Sequence, residues 1–257
     1  MKPENIEKIN RSFEIQAPNF ESKTLNFTKE EYLNYTLSRV APTEGDTILE
    51  VAAGTCVCGR SFAPLVQNVV CLDATPSMLQ IGKQEAEKSR LHNMIFVKGY
   101  AEELPFLNDS FSIVFSRLAF HHFTDPDAAF SEMVRVLHPG GKLVMIDMEA
   151  ADEALRKTED KIETLRDPSH VKNRSKNEML QLYASHGLQV RQCETTEIQQ
   201  RLISWLALTG TPEPIQNEIA RLMKSEIDGT EKTGFSPYVE NGQICFNQRW
   251  VLIIGEK

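Results

Sequence analysis

The chain predicts an α/β protein built on a doubly wound, mostly parallel sheet, and three features predict it. Short apolar runs rich in β-branched residues alternate with segments of helical periodicity through the first three fifths of the chain. The first run, Ile48 to Val51, collapses into the small residues Ala52-Ala53-Gly54-Thr55 and then opens a helical pattern at Phe62, Ala63 and Val66. Acidic residues close the first two runs: Glu50 and, twenty-three positions later, Asp73. In such sheets ligands sit beyond the carboxyl ends of the strands, against turns where small side chains leave the backbone bare.

The elements follow in order. Residues 1 to 40 are polar with scattered aromatics, among them Phe13, Phe20, Phe27, Tyr32 and Tyr35, and Thr28 with Glu31 three positions on predicts a capped helix. Val69 to Asp73 is the second strand, and Thr75-Pro76 starts a helix that buries Met78, Leu79, Ile81 and Ala86. Met94 to Lys98 forms the third strand, and Asn108-Asp109-Ser110 turns the chain into the fourth, Phe111 to Ser116. Asp125-Pro126 opens a helix with Ala129, Phe130, Met133, Val134 and Leu137 on its apolar face; Pro139-Gly140 then turns into a fifth strand, Lys142 to Asp147. Beyond Ala151 an amphipathic helix carries Leu155, Ile162 and Leu165, and a capping box, Ser175-x-x-Glu178, begins another that stops at Gly187. A sixth strand over Leu188 to Thr195 precedes helices over Leu202 to Leu208 and Ile215 to Ile227. Asn241-Gly242 is a two-residue hairpin turn feeding a last strand, Ile244 to Ile254.

Composition narrows the partners. A net charge of −8 argues against nucleic acid, whose phosphates call for clustered Lys and Arg, and favours a small-molecule acceptor. No run approaches the ~20 apolar residues that span a bilayer, and the first twenty residues lack a signal-peptide core, so the cytoplasm is the expected compartment. Five cysteines, an odd count, fit reduced thiols. Cys56 and Cys58 have no second Cys or His pair at zinc spacing, and no metal site is expected.

The first turn also restricts the ligand. A dinucleotide calls for G-x-G-x-x-G and a nucleoside triphosphate for G-x-x-x-x-G-K-[ST]; here Gly54 is followed by Gly59, Arg60 and Ser61, with no lysine. Asp73 is placed to bind the hydroxyls of a ribose. A ribose-binding acid without a phosphate cradle points to a nucleoside that carries no phosphate, and S-adenosylmethionine is the common ligand of that kind.

At this point the chain resembles a known family. Leu-Glu-Val-Ala-Ala-Gly-Thr at 49 to 55 is similar to the first motif of class I S-adenosylmethionine-dependent methyltransferases, of the branch that includes the ubiquinone/menaquinone C-methyltransferases. Four further segments match in order, at 69 to 79, 99 to 106, 111 to 123 and 135 to 147. The resemblance implies a seven-stranded sheet in the order 3-2-1-4-5-7-6 with the last strand antiparallel. It divides the chain into an N-terminal helical lid (1–40), a cofactor-binding core (41–149) and a C-terminal part (150–257) holding cap helices and the last two strands. Cap insertions are expected over 150 to 186 and 197 to 235.

It also implies a cofactor site made of Glu50, Ala52, Gly54, Thr55, Asp73, Ala74, Met78, Tyr100, Ala101, Glu102 and Arg117, with Ala74 and Met78 along the adenine. Two positions depart from the family pattern. Tyr100 stands where an aspartate usually takes the adenine amino group, and Cys56 replaces a glycine where the methionine part of the cofactor nears the backbone. Both thiols of Cys56-x-Cys58 are read either as inert fillers or, at a helix start, as one redox-sensitive group. Methyl transfer from a sulfonium is an in-line displacement helped by a general base; His121 and His122 follow the fourth strand, and His121 is the candidate. Arg117 either holds the cofactor through its backbone or an anionic acceptor through its side chain. Arg166-Asp167-Pro168-Ser169-His170 is either an acceptor-reading loop or a salt-bridged turn. The alternatives to a methyltransferase are a sensor of S-adenosylmethionine or S-adenosylhomocysteine, and a nucleotide-dependent oxidoreductase.

Overall fold

The computed structural model describes residues 5–22, 26–150 and 152–257, apart from the side chain of Phe27. Successive side chains of the first strand, β1 (Thr47–Val51), point to opposite faces of one sheet, and both faces are buried. Leu49 and Val51 share a core with Ala129, Phe130 and Met133, whereas Ile48 joins Phe62, Val69 and Phe115 on the other side. The remaining strands are β2 (Asn68–Asp73), β3 (Met94–Lys98), β4 (Phe111–Arg117), β5 (Leu137–Met148), β6 (Gln189–Arg201), β7 (Tyr238–Glu240) and β8 (Gln243–Glu256).

The sheet runs β3-β2-β1-β4-β5-β8-β6, with β7 paired on β8. Strands β1 to β5 pair in parallel, and β8 is antiparallel to both β5 and β6. This is the expected order with one strand more, because the residues before the Asn241-Gly242 turn also pair. Asn241 and Gly242 have φ of 51° and 75°, the left-handed pair that a two-residue hairpin of this twist needs.

Helices α2 (Glu30–Val40), α3 (Val57–Phe62) and α4 (Pro76–Lys88) lie on one face, α5 (Pro126–Val136) and α7 (Lys176–Ser185) on the other. Tyr183 of α7 is fully buried and donates its hydroxyl to the Ile253 carbonyl at 3.0 Å. The expected insertion at 150 to 186 therefore splits: α7 belongs to the sheet layer, and α6 (Arg156–Arg166) joins α8 (Leu202–Leu208) and α9 (Glu213–Ile227) around Ile162, Trp205, Leu206, Ile219 and Met223. That second core holds the cap above the carboxyl ends of the strands, and α1 (Ile6–Gln16) reaches the same end.

Local signals were mixed in outcome. The Ser175–Glu178 capping box forms with both reciprocal bonds. The one expected at Thr28 and Glu31 does not: α2 begins at Glu30 after an uncapped Lys29, and the Thr28 hydroxyl donates instead to the Ser22 carbonyl. Helix α3 stops at Phe62, and Ala63–Leu65 tighten into a 3-10 turn around Pro64, short of the pattern expected to run to Val66. Among the described residues, no helix is long and apolar enough to cross a membrane.

Candidate active site

A cavity of about 500 Å³ opens at the carboxyl ends of β1, β2 and β4. Its floor is the turn after β1, where Ala52, Gly54 and Cys56 have φ of 54°, 54° and 59°. Three left-handed residues in five fold the backbone tightly, and small side chains make that possible without filling the space above. Asp73, at the end of β2, ties the turn down: its Oδ2 accepts from the Gly54 amide at 2.7 Å and its Oδ1 from the Thr75 amide at 2.8 Å. Burial pushes the Asp73 carboxyl up, against the pull of these amides.

Of the residues expected to bind the cofactor, Glu50, Ala52, Gly54, Thr55, Asp73, Ala74, Tyr100, Ala101, Glu102 and Arg117 all border this cavity, as does His121. Met78 does not. It is the third residue of α4, turned inward and fully buried, so its expected place along the adenine is corrected. Cys56 also differs from expectation. Its Sγ lies towards α4, where a Cβ on Gly82 would come within 2.9 Å of it, so no side chain intrudes where the missing glycine was expected to leave room. Its thiol is raised despite a bond from Cys71, burial pushes Cys58 up to about 12, and Cys71 lies well above the ordinary value. Burial of all three and the upward direction of their thiols favour the reading of Cys56 and Cys58 as packing residues.

Glu50 accepts from the Gly59 amide at 2.8 Å, fixing the first turn of α3. Burial pushes its carboxyl up to about 7, against Gly59 and the charge of Arg117. The stability this group contributes is fully present below its unfolded value of 4.5 and is lost as the pH rises through about 7. Glu50→Gln, which keeps the acceptor for Gly59, is expected to flatten the fall in melting temperature between pH 5 and 8 by several degrees, measured by thermal melts of both proteins.

Three histidines gather opposite the turn. His121 lies in a 3-10 turn after β4, Phe120–His122, and Asp147 at the end of β5 meets it, Nδ1 to Oδ1 at 2.6 Å. Burial would raise Asp147, but His121 and the Met148 amide outweigh it and hold the carboxyl below its ordinary value. An ionised carboxylate only accepts, so Nδ1 is the donor of this bond, and in the neutral ring the lone pair lies on Nε2. His122 has a different task. Burial and the neighbouring His121 push it down to about 3, its Nδ1 lies 3.1 Å from Ser169 Oγ, and Phe13 packs edge-on against its ring at 5.1 Å. His170, from the cap loop, completes the group: its Nε2 meets Asp160 Oδ1 at 2.8 Å and its ring lies 5.7 Å from that of His121.

The N-terminal helical lid expected over residues 1–40 is present as α1, and what sequence reasoning missed is how it is fastened over the cavity. Asp167 accepts from Ser12 and Gln16 of α1, at 2.7 and 3.0 Å, and from the amide and hydroxyl of Ser169, at 2.9 and 2.6 Å. Despite burial, His122, Arg166 and these hydroxyls hold Asp167 far below the carboxylate range. Arg166 pairs with Glu163 at 2.6 Å and lies 4.4 Å over the Trp205 ring. Phe13 and Phe20 border the cavity, whereas Tyr32 packs on Trp250. In the sequence, the lid expected over residues 1–40 and the charged string at 166–170 stood as separate readings, and nothing in the spacing joined them. A depressed carboxylate contributes stability above its unfolded value of 3.8 that is lost as the pH falls. Asp167→Ala is expected to raise amide exchange across residues 5–22 by at least tenfold at pH 7, read by mass spectrometry, with β1 to β5 unchanged.

The residues fit a nucleoside sulfonium. The cavity lies within the ~300–1,000 Å³ usual for such ligands, Asp73 offers its carboxylate at the wall, and among the described residues the buried Thr55 hydroxyl has no partner. The methyltransferase domain family matches residues 49–145. The methyltransferase YcgJ of Bacillus subtilis is 32% identical over 212 residues, covering 82% of this chain and 84% of that protein. Its crystal structure superposes with a TM-score of 0.82 over 89% of this chain and 99% of YcgJ, at 28% identity. The ubiquinone/menaquinone biosynthesis C-methyltransferase UbiE of Shewanella frigidimarina is 34% identical over 131 residues, 49% of this chain and 52% of UbiE. A Haemonchus contortus phosphoethanolamine N-methyltransferase in complex with S-adenosyl-L-methionine shares the fold, with a TM-score of 0.61 at 19% identity over 89% of this chain and 52% of that one. These likenesses set aside the sensor and oxidoreductase alternatives. The chain belongs to the class I methyltransferases of the UbiE-like branch, and S-adenosylmethionine is its cofactor.

Proposed function

We propose that the enzyme methylates a small-molecule acceptor by in-line displacement, with His121 as the general base. The His121–Asp147 pair on the cavity wall carries this proposal: it presents a basic nitrogen of fixed tautomer on the side where the cap encloses the space. When bound, S-adenosylmethionine would supply an electrophilic methyl carbon on a sulfonium, whose sulfur would keep the electron pair of the carbon–sulfur bond as the acceptor takes the methyl group. The proton lost by the acceptor goes to His121 Nε2. Asp73 would hold the sugar of the cofactor, and Glu50 and Asp73 fix the turn that borders its site. The latch of α1 on Asp167 fastens the lid over one side of the cavity, which limits the access of water and helps alignment.

A cavity of about 500 Å³ lined by the cap and the charge of −8 favour a small acceptor over nucleic acid. Five free cysteines, four of them buried, favour work in the reducing cytoplasm. Incubation with methyl-labelled cofactor and a panel of phenols, amines and acidic-carbon compounds tests the proposal. One methylated acceptor per S-adenosylhomocysteine formed is the expected result; cofactor bound without transfer to any member would contradict it.

A further inference from the structure

The His121–Asp147 pair is repeated one loop away. His170 borders the same cavity, its side chain is 1% exposed, and Asp160 Oδ1 meets its Nε2 at 2.8 Å. That oxygen also accepts from the Asn173 amide at 2.8 Å, so it acts as an acceptor and Nε2 as a donor. The neutral ring then carries its lone pair on Nδ1, and among the described residues Nδ1 is buried without a hydrogen-bond partner. An unsatisfied buried nitrogen is costly, and in a binding site it marks the place where a ligand supplies the missing donor. The two rings are 5.7 Å apart and inclined by 31°, close enough to address neighbouring atoms of one molecule.

We propose that His170 is a second acceptor-binding group: Nδ1 takes a hydrogen bond from an O–H or N–H that the acceptor carries beside the atom to be methylated. The acceptor class is then a molecule with two adjacent protic groups, one deprotonated by His121 and the other read by His170. This deepens the methyltransferase proposal and rests on His121 facing the acceptor. His170 is a positioning and specificity residue; it neither gives nor takes a proton in the transfer. A site built around a hydrogen bond discriminates against the analogue that lacks the donor, because its own polar atom is left unpaired.

The test uses the full chain and the matched probes catechol and phenol, in turnover with S-adenosylmethionine and in calorimetric binding to the S-adenosylhomocysteine complex. Wild type is expected to favour catechol by on the order of tenfold. His170→Gln places its amide near Nε2, keeping the bond to Asp160 but losing the acceptor at Nδ1, and should bring the ratio close to one. His170→Asn places its amide near Nδ1 and should restore part of the preference, which a purely structural role would not produce. S-adenosylhomocysteine affinity and melting temperature report folding of each variant. Equal treatment of the two probes by wild type, including binding of neither, overturns the proposal, as does an undiminished ratio in His170→Gln. Cofactor binding separates the two levels: without it the methyltransferase proposal fails too, and with it only the role of His170 falls.

Discussion

Replacing His121 by alanine is expected to lower kcat by about 10²- to 10³-fold while leaving S-adenosylhomocysteine affinity within about threefold of wild type. Nothing in the turn after β1 depends on this imidazole; the Gly54 amide is held by Asp73. Asp147→Asn should also cost about tenfold or more, for a different reason. An asparagine can present N–H to Nδ1, which moves the ring proton to Nε2 and removes the lone pair from the acceptor side. Steady-state kinetics on the best acceptor, with calorimetry of the cofactor product, separates a chemical loss from a binding loss. Equal rates in wild type and His121→Ala would leave the reaction without this base.

Asp73→Ala should weaken S-adenosylhomocysteine binding on the order of 100-fold, the scale of hydrogen bonds to a buried charge. The same carboxylate secures the Gly54 and Thr75 amides, so the variant loses the sugar contact and the shape of the turn together. Asp73→Asn retains an oxygen for one amide and should fall between the two. Calorimetry of the three proteins checks the order, and thermal melts show how much of the loss is stability.

The sheet was legible because its signals are local. β-branched runs, the Asn241-Gly242 turn and the Ser175–Glu178 cap each lie within a few residues and adopt the expected conformation, whereas Gly140 takes its positive φ inside β5, which begins at Leu137 and not at Lys142. Asp73 was legible as well, since a carboxylate closing the second strand of such a sheet faces the same end as the first turn. Met78 and Cys56 were not: facing a cavity or turning from it depends on helix rotation and on the gap that Gly82 leaves, and neither is written in spacing. The latch joins Ser12 to Asp167 across 155 residues, and His170 reaches His121 only because the cap loop bonds to the His121 carbonyl. A charged string such as Arg166 to His170 can serve structure and ligand together: Asp167 fastens α1, while His170 borders the cavity.

A crystal structure of the S-adenosylhomocysteine complex tests the central claim most directly. The ribose hydroxyls should lie within hydrogen-bond distance of the Asp73 carboxylate, with the sulfur facing the half of the cavity that holds His121 and His170. A sugar bound away from Asp73, or a sulfur turned from the histidines, would contradict the account.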